Sequence, residues 1–91
     1  MEVRTAGFLP GQIVTAVAGR ETGCRFMILS LDERFLYLAD GKKRTADRPK
    51  AKNPSHVRPF SGLGARNILP PGSVPTDEMI RQAIKAIDEE S

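Results

Sequence analysis

Cysteine, histidine and tryptophan are almost missing from this 91-residue chain, which has Cys24, His56 and no tryptophan. One cysteine leaves no partner for an intrachain disulfide, and His56 alone cannot assemble a His/Cys cluster for zinc or iron–sulfur within one chain. No cofactor is therefore expected. Aromatic residues make up 5% of the chain, as Phe8, Phe26, Phe35, Tyr37 and Phe60. No run approaches the roughly 20 consecutive apolar residues of a membrane span, and residues 1–12 lack the apolar segment of a signal peptide. The expectation is a cytoplasmic protein with no membrane partner. Nucleophile-elbow, P-loop and Rossmann signatures are also missing. The adjacent carboxylates Asp32 and Glu33 fall in a turn, where solvation is the common outcome. Cys24 lies beside Arg25, whose charge would favour a thiolate, yet lone cysteines in small domains usually serve as small hydrophobes. A non-enzymatic protein is expected.

What the chain does have is a succession of short apolar runs. Residues 12–17 (QIVTAV) are β-branched and apolar, flanked by Gly11 and Gly19, which predicts a strand. Residues 18–23 (AGRETG) read as a glycine-containing turn. Residues 25–31 (RFMILSL) form a second expected strand and residues 35–39 (FLYLA) a third, separated by Asp32-Glu33-Arg34. These runs are continuously apolar rather than alternating, so both faces of the sheet should be covered, as in a closed barrel with something packed outside. Asp40-Gly41 predicts a two-residue type I′ hairpin leading into a fourth strand at residues 42–46. Residues 47–54 (DRPKAKNP) then form a loop, and residues 55–60 (SHVRPF) a closing strand. This pattern predicts a mainly β protein with a small five-stranded SH3-like barrel over residues 11–60, preceded by an N-terminal extension at residues 1–10 whose Phe8 and Leu9 pack on its edge.

Residues 61–75 are rich in Gly, Pro and Ser and read as a linker, with Leu63, Ile68 and Leu69 as anchor points. Residues 76–90 then predict an amphipathic C-terminal helix. Thr76 is the expected N-cap, with Asp77 and Glu78 in the first turn where the helix dipole favours negative charge. Met79, Ile80, Ala83, Ile84 and Ile87 make one apolar stripe. A helix this short is marginal alone, so the stripe must bury either against the outer face of the barrel or against a partner protein.

Charge is distributed unevenly. The chain carries a formal net charge of +3, but residues 1–60 hold eleven Lys/Arg against six Asp/Glu, and residues 61–91 hold three against five. Within residues 42–58, Lys42, Lys43, Arg44, Arg48, Lys50, Lys52 and Arg58 are opposed by Asp47 alone. A one-signed run of this kind points to a polyanion. With few aromatics to stack on bases, structured RNA read through its backbone and shape is the expected ligand. The rival reading is a protein-interaction adaptor whose charge steers approach.

The residues GQIVTAVAGRETGCRFMIL resemble the KOW motif, the strand–turn–strand core of SH3-like barrels in ribosomal proteins and elongation factors. The continuation FLYLADGKKRTADRPKAKNPSHV is similar to the ribosomal protein family called L fourteen e and to its small bacterial KOW-domain relatives. The hairpin at Ala39 to Lys42, the Pro49-Lys50 pair, His56, and the TDEMIRQAI helix all carry the likeness. It implies RNA binding in or near translation; the protein is expected to be a monomer whose partners are RNA, ribosomal RNA foremost, and ribosomal proteins. By this resemblance Gly19, Arg20, Gly23 and Lys42 to Arg44 take RNA-facing positions. Cys24-Arg25 stands where many relatives have a basic pair, which lowers the charge of that turn. The expected interface is thus Gly19, Arg20, Gly23, Arg25, Lys42, Lys43, Arg44, Arg48, Lys50, Lys52, His56 and Arg58.

Overall fold

A computed structural model of the chain describes residues 5–59 and 74–90. Five antiparallel strands form one open sheet in the order β4-β3-β2-β1-β5, with a helix packed on one face. The strands are β1 (Ile13–Ala16), β2 (Arg25–Leu31), β3 (Leu36–Ala39), β4 (Lys50–Lys52) and β5 (Val57–Pro59), followed by helix α1 (Asp77–Glu90).

Both faces of the sheet are covered, as the continuous apolar runs require. Val14, Ala16, Phe26, Ile28, Leu36, Leu38 and Val57 make one buried cluster, with Phe8 and Leu31 against it. Ile13, Met27 and Ala39 point the other way and bury Ile80 and Ile87 of α1. A register shift lies between Ile28 and Ser30 in the β2–β3 ladder, where Ile28 pairs with Leu38 but Ser30 with Tyr37. This bulge at Leu29 changes the phase of β2. Leu31, three positions beyond Ile28, thereby returns to the same cluster, and Leu29 turns toward the helix.

The fourth strand differs from the expected one. Residues 42–46 form bends and turns, and β4 is instead Lys50–Lys52, inside the span expected as a loop. The cause is local. A type I′ turn needs positive φ at both central residues, and only Gly41 has it, at 79°. Asp40 turns its carboxylate onto the chain ahead, where Oδ1 accepts the amides of Lys42 and Arg44, both at 2.9 Å. The Arg44 carbonyl in turn accepts the amides of Asp40 and Gly41 at 2.9 and 3.1 Å. These side-chain and turn bonds occupy the groups a ladder would use. Pairing resumes with Lys50 opposite Leu38 and Lys52 opposite Leu36.

The closing strand starts later than residue 55. Asn53 caps a 3-10 turn at Pro54–His56 by accepting the Ser55 amide at 2.9 Å, and β5, Val57–Pro59, follows it. Phe60 and most of the expected linker, with Leu63, Ile68 and Leu69, lie outside the described residues. In the N-terminal segment Phe8 packs on the core as expected, whereas Leu9 is 70% exposed. The buried Thr5 hydroxyl donates to the Asp32 carbonyl at 2.5 Å and pins this segment to the β2–β3 turn.

Helix α1 starts where its signals place it. Thr76 Oγ1 accepts the Met79 amide at 3.2 Å, as an N-cap does. Of the apolar stripe, Ile80 and Ile87 are fully buried and Ala83 and Ile84 half-buried against the sheet, but Met79 lies off the contact at 53% exposure. The stripe is thus used within the chain. Two further bonds tie the helix to the β3–β4 connection: Asp77 Oδ1 accepts the Ala46 amide at 2.7 Å, and Arg81 donates to the Gly41 carbonyl at 2.5 Å. Among the described residues no helix is long and apolar enough to cross a membrane.

Candidate nucleic-acid interface

Antiparallel connectivity places the β1–β2 turn and the β3–β4 connection at the same end of the sheet. The turn is closed by a pair of main-chain bonds, Ala16 N to Cys24 O at 2.9 Å and Gly23 N to Ala16 O at 2.8 Å. Gly19 and Gly23 both take positive φ, at 83° and 91°, which the reversal requires. Arg20 stands exposed at its tip. From the other side, the Val17 amide donates to the His56 carbonyl at 2.8 Å, so the 3-10 turn and the exposed His56 lie against the same feature.

Three cations from the far strand and its connection reach this turn. Lys50 and Lys52 sit opposite Leu38 and Leu36 and so share the face of the first cluster. Their long stems cross apolar surface and their ammonium groups emerge at the turn. Lys50 Nζ donates to Glu21 Oε1, and Arg44 Nη2 lies 3.8 Å from the same oxygen. Lys52, only 8% exposed, donates to the Ala18 carbonyl at 3.4 Å. The Lys50 hydrogen bond is the chief reason that the Glu21 carboxyl sits below its ordinary pKa; burial opposes the shift, and the charges of Lys50, Lys52 and Arg44 add to it.

The expected interface residues therefore divide. Arg20, Lys42, Lys43, Arg48, His56 and Arg58 are exposed. Arg44 and Lys50 are half-buried around Glu21, and Lys52 is a buried strut rather than a surface contact. Arg25 leaves the turn altogether: its guanidinium pairs with Asp88 near the end of α1. Gly19 and Gly23 shape the turn. Glu21 and Asp88 are the side chains that the charge count passed over. Glu21 had a sequence signal, as the sole acid between two turn glycines, whereas the Arg25–Asp88 pairing depends on how the helix lies across the sheet.

An open groove of about 770 Å³ runs between α1 and the segments around Cys24 and Gly41. Lys42, Arg81 and Lys85 line it together with Asp40, Glu78 and Asp88, so its charge is mixed. Cys24 is exposed on its wall. Among the described residues no group of three or more His, Cys, Asp or Glu side chains is placed to hold a metal ion. No protein-family model matches the sequence, and no curated protein matches it either.

Proposed function

We propose that the chain is a non-catalytic RNA-binding module of the KOW type, an SH3-like barrel that docks on structured RNA, ribosomal RNA foremost, in the service of translation. One observation carries this reading: Lys50 and Arg44, far along the chain, reach Glu21 in the turn that also carries the exposed Arg20, and the exposed Lys42, Lys43 and Arg48 belong to the same β3–β4 connection as Arg44, at that end of the sheet. Such a cluster suits the closely spaced phosphates of a folded nucleic acid, each contact releasing counterions. Backbone recognition fits better than base stacking. Phe26 is buried, Phe8 packs on the same core, and Phe35 belongs to the turn at the opposite end. The adaptor reading has less to draw on, because the helix stripe that would grip a partner is spent on Ile13 and Met27.

Replacing Lys42, Lys43 and Arg48 by Glu tests the assignment, since all three are exposed. Binding to ribosomal RNA fragments and to intact ribosomes should both be lost. With about five phosphates contacted, the wild-type log–log salt slope should lie near about −4. Undiminished ribosome binding by the triple variant would transfer the function to protein contacts.

A further inference from the structure

Glu21 differs in its bonding from three other carboxylates around the sheet. Asp32 accepts the amides of Arg34 and Phe35, Asp40 those of Lys42 and Arg44, and Asp77 that of Ala46. Each of these acids holds the main chain in shape. The Glu21 carboxylate instead meets the side-chain cations Lys50 and Arg44. The turn around it is held by main-chain and hydroxyl bonds in which that carboxylate takes no part: Thr22 Oγ1 to Gly19 O at 2.7 Å and Cys24 N to Glu21 O at 2.9 Å. The carboxylate can leave its partners without undoing the turn.

An oxygen gripped by an ammonium and approached by a guanidinium is also the arrangement in which proteins hold a phosphate oxygen. Resting on the RNA-binding reading above, we infer that Lys50 and Arg44 form a phosphodiester site that Glu21 fills in the free protein and yields to the RNA backbone on binding. The exchange is balanced: one anionic oxygen ligand replaces another, and Glu21 swings into water. Lys50 and Arg44 are 36% and 43% exposed in their side chains, so the incoming phosphate does not have to displace any packed structure. The Glu21 side chain is 22% exposed, so the pairs are half-buried, but both cations reach solvent and ion pairs at a protein surface are weakly held, whereas a phosphate arriving on a strand already held by Lys42 and Lys43 brings the entropy of its released counterions. Glu21 thereby favours closely spaced phosphates over isolated anions, which lack the neighbouring contacts needed to displace it.

The test compares Glu21→Gln with Glu33→Gln, which makes the same change in net charge in the β2–β3 turn at the other end of the sheet. Both are titrated with a structured ribosomal RNA fragment over a series of salt concentrations. Glu21→Gln should bind roughly two- to fivefold tighter than wild type, the factor expected from losing one competing surface ion pair, with a salt slope steeper by about one unit. Glu33→Gln should stay near wild type, its charge being screened over this distance. In the unmodified protein, side-chain nitrogen resonances of Lys50 and Arg44 should move on adding RNA, a readout that does not depend on any variant folding. Unmoved resonances, weaker binding by Glu21→Gln, or equal behaviour of the two variants would overturn the exchange while leaving RNA binding intact. Absence of RNA binding by the wild type would remove both.

Discussion

Ala46 and Asp77 are joined by a 2.7 Å hydrogen bond from the amide of one to the carboxylate of the other. This bond links the basic connection after β3 to the first residue of a helix far along the chain. Beside it, Gly41 approaches so closely that a Cβ there would stand 2.5 Å from the Asp77 carbonyl oxygen and 2.8 Å from Arg81 Cγ. The segment carrying Lys42, Lys43 and Arg44 is held by the helix as well as by the sheet.

Gly41→Ala should therefore be more damaging than alanine at the other turn glycines. Gly19 and Gly23 also have positive φ, but nothing stands within 4 Å of a Cβ built on either. There the cost should be the left-handed backbone alone, about 1–2 kcal/mol. At Gly41 the collision with main chain adds to it, for a total of about 3 kcal/mol or more. Urea denaturation of the three variants measures the difference.

Helix α1 should behave as part of the folded core. Ile80→Ala and Ile87→Ala each remove a fully buried side chain and should cost about 2–5 kcal/mol. Met79→Ala, at a position 53% exposed, should cost within about 0.5 kcal/mol. Equal, small losses at all three positions would show the helix to be dispensable to the sheet.

How far the sequence reveals this structure depends on the range of the forces involved. Strand β2 has the expected bounds, and the start of α1 follows from Thr76 and two acids, because periodicity and capping act within a few residues. The fourth strand was misplaced because Asp40 chose its own main chain as partner, and because Ala46 and Gly41 answer to Asp77 and Arg81. The first cause lies within four residues, whereas no window of neighbouring residues contains the second. For the same reason the site was legible as a basic run, while its division into exposed cations, a buried Lys52 and a helix-bound Arg25 was not.

Tyr37 is the sole tyrosine in a chain without tryptophan, so its ionisation can be followed by absorbance without interference. Its hydroxyl donates to Asp32 Oδ2 at 2.6 Å. That bond is the leading cause that raises the phenol above its ordinary pKa, and also the leading cause that lowers the Asp32 carboxyl. The tyrosinate transition should thus occur at higher pH in the folded protein than in urea. Since the folded pKa is the raised one, the phenol's contribution to stability is complete below about pH 10 and fades as pH climbs through the folded value. Tyr37→Phe should move the Asp32 carboxyl back up, observable by carbon NMR.

Glu21 gives the opposite pH dependence. Its folded pKa is depressed, foremost by Lys50, so the pair contributes fully above the ordinary glutamate value of about 4.3 and is lost as pH falls below it. Wild type should exceed Glu21→Gln in stability by at most about 1 kcal/mol at neutral pH. That margin should vanish in acid, as chemical denaturation at the two pH values would record.

The strand order has a kinetic side. Strands β1 to β4 are neighbours in sequence as well as in the sheet, and they can pair through local connections. Strand β5 must instead come back to β1, pairing Val57 with Ala16 and Arg58 with Thr15. Closing that loop costs entropy before any contact repays it, so the order implies a meander that forms early and a last strand that docks after the rate-limiting barrier. Val57 is buried in the core, and truncating it to alanine should chiefly hasten unfolding, leaving the refolding limb of a chevron plot nearly unchanged.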